Sequence, residues 1–417
     1  MNRIIGRHDA SRSELLVVNQ RRGARFREVV WVGGQVDINA TAEIQHPGNL
    51  SGQIEGAMEN VSGVLEELGA TREDLVKLFC LYVSDGSIDE NGILRSIAAL
   101  LGESTTVAVT VIPVPYLFLP GLLVQIDGYA MRSMHGRALS RSCSTPANVP
   151  ALPDRLAQGV RCGKMIFVSG QSAVDMQGGT QYAGDIVAQT AVVMERIEAT
   201  LAVFGASIDD TVKMSRWYVG RGTVADWRPA ALACARHYRE PGPTATSVPV
   251  LTFASPEQRI KIEVIAMLGE DGRRLPRRHS WPESVWDWPM HLPYKHGLKC
   301  ADMIFLGGQV SLDKKGQAVR PGDLVAQADA AMNHIGTILR DLGADYRDIC
   351  KLTTFYQSAG SLEDLQSIDS VYSTVFPDTR PVSSAIALPT LSYPDMVVEI
   401  DAFAMAEPDP EHGLPPQ

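Results

Sequence analysis

The chain has 417 residues, more than one hydrophobic core organises, so two to four domains are expected. Hydrophobic residues make up 45% and charged residues 21%, the balance of an ordinary globular protein. The formal charge is -10 and no long run of Lys or Arg occurs, which argues against nucleic acid as a partner because phosphates call for a basic face.

The N-terminal stretch MNRIIGRHDASRSELLVV carries charges throughout and lacks the apolar stretch of a signal peptide, so a cytoplasmic location is expected. The six cysteines, at 80, 143, 162, 234, 300 and 350, show no CxxC pairing, which suits reduced thiols and supports neither a disulfide framework nor a zinc site. No metal and no cofactor is expected. The apolar segment TVAVTVIPVPYLFLPGLLVQI at 106–126 is long enough for a membrane span, but three prolines interrupt it and its later counterparts carry charges; a pair of buried strands fits better, and no membrane association is expected.

In chain order, the first landmark is VGGQV from Val32. From Gln53, residues Ile54, Ala57, Met58, Val61, Val64, Leu65 and Leu68 fall at three- and four-residue steps, the stripe of an amphipathic helix, and Gly69 follows as a C-terminal cap. The runs Leu75 to Val83 and Leu122 to Met131 are short, apolar and rich in β-formers, hence strands, and a second helix is expected at about 90–101.

The same landmarks then return. VSGQS begins at Val168 and LGGQV at Leu306; Gln53 is matched by Gln189 and Gln327; LGATREDLVKL from Leu68 is matched by FGASIDDTVKM from Phe204 and LGADYRDICKL from Leu342; VQIDGYAM from Val124 is matched by IKIEVIAM from Ile260 and VEIDAFAM from Val398. Every landmark is displaced by 136 and then by 138 residues, a constancy that only a true repeat produces. Further second helices are expected at 224–238 and 362–375, giving three α+β units, each a mixed sheet with helices on one face. The repeats span 1–132, 153–269 and 291–407, joined by Arg-, Pro- and Ser-rich linkers at 133–152 and 270–290; the second linker holds Trp281, Trp286 and Trp288, read as pins onto a domain surface.

The order of SGQ, an amphipathic helix opening on Gln, GA…D…VK and a terminal (V/I)EIxAxA strand resembles the RidA family, also called YjgF/UK114, once per repeat. The resemblance implies a chorismate-mutase-like fold in which three units close into a barrel with helices outside and ligands in the clefts between units. One chain would then be a pseudo-trimer, as a monomer or a low-order homo-oligomer. It also implies hydrolysis of reactive enamines or imines, with an arginine on the substrate carboxylate and a partly desolvated acid managing water.

Matched to the family pattern, Arg380 in PDTRP is the carboxylate clamp, Glu399 the catalytic acid or base, and Tyr294 the aromatic wall. Gly307 stands where the family has serine and Asp369 where it has asparagine, with Tyr372 following, so the pocket departs from the pattern. The other copies have Thr106 and Pro243 in place of the arginine, and Gln125 and Lys261 in place of the glutamate. One active cleft per chain follows, with Arg380 and Glu399 on one wall and a neighbouring repeat opposite, through Ser169 among others.

Asp127, Glu263 and Asp401, and Lys77, Lys213 and Lys351, recur in all copies and read as structural, the acids balancing a nearby lysine or capping a backbone group and the lysines serving as edge or ion-pair residues rather than as nucleophiles. His291 and His296 flank Tyr294 and are open either as acid–base partners or as incidental loop residues. The expected function is a hydrolytic deaminase of a small carboxylate-bearing enamine or imine. A different hydrolase or lyase on the same scaffold, of a ring-opening or aromatic-acid type, and a non-catalytic ligand-binding protein stand as alternatives.

Overall fold

The computed structural model describes residues 3–5, 21–39, 41–134, 139–378 and 380–408. The charged N-terminal stretch lies largely outside them. Each repeat forms its own mixed sheet covered by two helices. In the first, β1 (Arg3–Ile5), β2 (Gly23–Phe26), β3 (Val29–Gln35), β4 (Leu75–Val83), β5 (Val107–Val114) and β6 (Val124–Met131) take the order β1-β2-β3-β6-β4-β5, with β4 and β5 parallel and joined through the helix Glu90–Ala99. The apolar segment at 106–126 is thus a strand, a turn and the start of a second strand. Among the described residues no helix is long and apolar enough to cross a membrane.

The first long helix, Leu50–Glu67, starts where Asn49 accepts a hydrogen bond from Gly52 N and ends at Gly69, whose φ of 72° an L side chain would resist. Its stripe of Ile54, Ala57, Met58, Val61, Val64 and Leu65 is almost completely buried against the sheet. Each larger side chain there contributes about 1.5–3 kcal/mol. The second repeat reuses the plan with β7 (Arg141–Ser144), β9 (Gly159–Cys162), β10 (Met165–Gln171), β11 (Thr211–Val219), β12 (Thr244–Val250) and β13 (Ile260–Met267), while β8 (Leu156–Ala157) pairs in parallel with β5 and extends the first sheet. The third has β14 (Arg277–Ser280), β15 (Gly297–Cys300), β16 (Met303–Leu306), β17 (Gln309–Val310), β18 (Ile349–Gln357), β19 (Val382–Leu388) and β20 (Val398–Met405).

The two linkers are not mere connections, since each supplies an edge strand, β7 and β14, to the sheet that follows. Between β14 and β15 the chain is two residues longer than between β7 and β9, which is where the displacement between copies changes from 136 to 138.

The barrel implied by the resemblance is absent as one closed sheet; the strands form three separate sheets that touch in cyclic order. The glycine of each GQ pair approaches the edge strand of the preceding repeat: Gly308 N donates to Ala245 O at 3.1 Å and Gly34 N to Ser384 Oγ at 3.1 Å, while Ser169 Oγ accepts from Val109 N at 2.8 Å. The three clefts are therefore first–second, second–third and third–first.

Candidate functional site

The site follows from how two strands of different repeats are sequenced. In β20 the side chains of Val398, Ile400 and Ala402 alternate with those of Glu399, Asp401 and Phe403, and the first set joins the core beneath the helices. Glu399 thus points to the other face, into the second–third cleft, where it is 5% exposed. A side chain at Gly308 would meet its carboxyl, since a Cβ there would lie 1.8 Å from Oε1. Burial first, and then the negative charge of Asp401, push the Glu399 carboxyl up to about 8, against the Ser247 backbone, Lys213 and Arg216, which favour the charged form. Near neutral pH it is mainly a neutral acid, able to donate a proton.

Arg216 enters the same cleft from β11. The residue is 3% exposed, and Nε donates to Ser247 Oγ at 2.9 Å; Nη1 is buried and meets no acceptor at hydrogen-bond geometry, although the Cys234 thiol and Tyr294 hydroxyl lie near enough to favour the guanidinium's charge. The Tyr294 and Tyr393 hydroxyls are likewise buried and unpartnered. All three groups line one pocket with Glu399, Ser247, Trp227, Trp286, Trp288 and Leu292, around a cavity of about 40 Å³. Buried polar groups nearly always find partners, so three orphans around one cavity mark a place for a polar ligand.

The roof comes from the linker. His296 stacks on Trp281 and Trp288 with centroids 4.1 and 5.6 Å away and meets Trp286 edge-on at 5.0 Å. Its Nε2 bonds to Trp286 O at 2.9 Å, and burial lowers its pKa to about 3, so it is neutral and holds the tryptophans in place. His291 is exposed, with Nε2 3.1 Å from Glu240, outside the pocket lining. The tryptophans do pin the linker, and two of them also line the pocket.

The structure separates the residues that sequence reasoning had grouped. Tyr294, Glu399 and the Gly307–Gly308 turn meet in the second–third cleft. Arg380 is elsewhere: its guanidinium pairs with Asp369 and Ser373 of its own repeat, just before the β19 edge that faces the third–first cleft. The clamp and the acid match the family pattern within one copy, but in a ring of copies one cleft takes its edge strand from one repeat and its glutamate strand from the next. Arg380 and Glu399 thus belong to different clefts. Ser169 lies in the first–second cleft, bonded to Ala157 O at 2.6 Å. The strand register also makes Gly242, rather than Pro243, the counterpart of Arg380, since Lys351 pairs with Val382 and Lys213 with Thr244.

The first–second cleft satisfies itself. Lys261, at the glutamate position, is 2.7 Å from Glu90 and donates to Val111 O at 2.9 Å, and Tyr82 donates to Glu90. In the third–first cleft Gln125 packs against Gly34. Arg216 escaped the sequence reading although a signal existed: its counterparts are Cys80 and Thr354, so a cation stands at this strand position in only one copy. Among the described residues no group of three His, Cys, Asp or Glu could hold a metal ion.

Three tandem mixed sheets with a buried acid and a guanidinium facing each other across a repeat boundary define a protein of intersubunit-cleft type, built from one chain. The family model described as Endoribonuclease L-PSP matches residues 147–268 and 289–406, and the chain belongs to that family, the RidA/YjgF proteins. It is 29% identical over 115 residues to a RutC family protein of Pyrococcus abyssi, covering 28% of this chain and 87% of that one. It is 28% identical over 116 residues to the 2-iminobutanoate/2-iminopropanoate deaminase of Mus musculus, covering 28% and 83%. A solved chorismatase structure aligns with 80% of this chain and 93% of its own, at a TM-score of 0.50 and 13% identity, a likeness of fold.

Proposed function

We propose that the second–third cleft hydrolyses a small unsaturated carboxylate, and that an enamine or imine of a 2-keto acid is the substrate class. Arg216 Nη1 takes the carboxylate, with the Tyr294 and Tyr393 hydroxyls nearby. Glu399 in its neutral form gives its proton to the terminal sp² carbon of the enamine, and the nitrogen's electron pair makes an iminium ion. Water adds to the iminium carbon while the Glu399 carboxylate takes a proton from it. The carbinolamine then expels ammonia, leaving the 2-keto acid, so one enamine and one water become one keto acid and one ammonia. The observation that carries this reading is a buried carboxyl, whose burial favours its neutral form, lining one pocket with a buried guanidinium nitrogen that meets no acceptor at hydrogen-bond geometry. The deaminase names among the relatives support it at the level of the family.

The test is ammonia release from 2-aminoacrylate generated in the assay. Wild type and Arg380→Ala are expected to release ammonia well above the uncatalysed rate, and Arg216→Ala more slowly by roughly 10- to 100-fold at low substrate. If Arg380→Ala abolishes release while Arg216→Ala retains it, the assignment to this cleft is wrong.

The aromatic lining favours a second reading, an enol ether on a ring-bearing carboxylate, where the same proton transfer to carbon makes an oxocarbenium ion for water to capture. A solved chorismatase structure shares the fold over 80% of this chain. Among the described residues lining the pocket Arg216 is the sole cation, which suits one carboxylate better than the two of chorismate. Pyruvate release from a ring-bearing enol ether with no ammonia release from any enamine would select this reading.

A further inference from the structure

At one end of the ring, away from the clefts, the three sheets bring together five methionines. Cross-strand neighbours Met165 and Met267 in the second repeat, and Met303 and Met405 in the third, are matched in the first by Val29 and Met131. By the 136- and 138-residue displacements these are the same two positions in each copy, so five of six equivalent places hold Met in a chain with 14. All five line a single cavity of about 390 Å³, which the exposed Met134 also lines, and belong to one buried cluster.

Packing alone does not account for this choice. Strand interiors favour β-branched residues, and Val29 shows that one fits here. Ordering a Met side chain costs up to about 1.5–2 kcal/mol of rotamer freedom, more than Ile or Leu. Directly opposed residues on neighbouring strands have Cβ atoms about 4.5–5.5 Å apart, so the two thioethers of a pair can reach one ion. Thioether sulfur is a soft donor that selects Cu(I) over harder divalent ions. The rim adds the acids Glu28, Asp302 and Glu407 against Arg27 and Lys164; Arg27 is tied to Asp302 at 2.8 Å and to Glu407 at 2.5 Å, bridging the first and third repeats.

We propose that this vestibule is a thioether site for a soft monovalent cation, Cu(I), with the five buried methionines Met165, Met267, Met303, Met405 and Met131 as its ligands. The site is independent of the hydrolytic cleft, so either assignment can fail alone.

The test uses the full chain carrying Cys143→Ser and Met134→Leu, which remove the exposed thiol and the exposed cavity-lining methionine found among the described residues. Anaerobic titration with Cu(I) against a chromophoric Cu(I) chelator is expected to show one tightly held ion per chain, with an X-ray absorption shell of sulfur. Replacing Met165, Met303 and Met405 together by Leu, which nearly conserves volume, is expected to abolish binding without shifting the metal-free melting temperature. If the parent fails to compete with the chelator, or the triple variant binds as well as the parent, the site does not exist. Loss of binding only on Cys162→Ser with Cys300→Ser would assign the ion to buried thiols and likewise overturn the proposal.

Discussion

Lys213 Nζ and Asp401 Oδ2 lie 3.0 Å apart across the boundary between the second and third repeats, both nearly inaccessible to solvent. The same pairing recurs around the ring, as Lys77 with Glu263 at 2.7 Å and Lys351 with Asp127. Each lysine of one repeat thus neutralises the acid of the next. The Lys213–Asp401 pair also sits beside the proposed site, since Asp401 is two residues along the strand from Glu399 and each partner acts on its titration.

Removing one member of such a pair leaves the other buried and uncompensated, at about 3–5 kcal/mol. Lys213→Met is therefore expected to lower the urea midpoint substantially, and Lys213→Met with Asp401→Leu to recover much of the loss. Equal destabilisation in the single and double variants would show that the lysine matters for packing and not for charge.

The elevated Glu399 pKa fixes the sign of two pH effects. Activity through its neutral form is expected to fall as pH rises through about 8, giving a descending limb of kcat/KM there that Glu399→Gln removes together with most turnover. Lys213→Met should move that limb to higher pH, because the lysine favours the charged carboxylate. For stability, the folded state holds a proton that the unfolded chain releases at an ordinary carboxylate pKa of 4.5, so the Glu399 contribution is fully present below that value and is lost as pH rises to about 8. Glu399→Gln should flatten this slope in urea midpoints recorded across that window.

Arg216 and Arg380 give opposite outcomes. A hydrogen bond to a charged group contributes about 1.5–3 kcal/mol, which corresponds to roughly a 10- to 100-fold change in affinity. Arg216→Met is expected to raise KM by that order, whereas Arg380→Met, which breaks a pair with Asp369 inside one repeat, should leave KM close to wild type. Steady-state kinetics on one enamine substrate decide between them.

Much of the fold is legible in the sequence because its signals are local. The stripe from Ile54 to Leu68 specifies a helix, and the observed one runs Leu50–Glu67; the run Leu75 to Val83 is the strand with those bounds. The recurrence of Lys213 and Asp401 left an ion pair open beside edge and capping roles; the structure makes it an ion pair, with partners from different repeats. The site was half legible for the same reason. Glu399 and Tyr294 are recognisable from motif position, but which arginine faces Glu399 depends on how β11 of one repeat meets β20 of the next, a contact 183 residues apart that no local pattern encodes. The roof was hidden in a segment that reads as linker, where Trp286 and Trp288 follow no periodicity.

That roof yields a prediction about size. Trp288 lines the pocket and stacks on His296 at an interplanar angle of 13°, so its ring is held rather than free to swing. An aromatic contact with a substrate ring contributes about 0.5–1.5 kcal/mol beyond buried area, up to roughly tenfold in affinity. Trp288→Ala is accordingly expected to raise KM for the enamine of phenylpyruvate by roughly tenfold and to leave 2-aminoacrylate, which has no ring, nearly unchanged. His296→Ala should reproduce the selective loss in milder form, because the histidine acts through the tryptophans it orders. A uniform loss on both substrates would mean that the roof only excludes water, and an unchanged KM on both would remove the aromatic wall from substrate recognition.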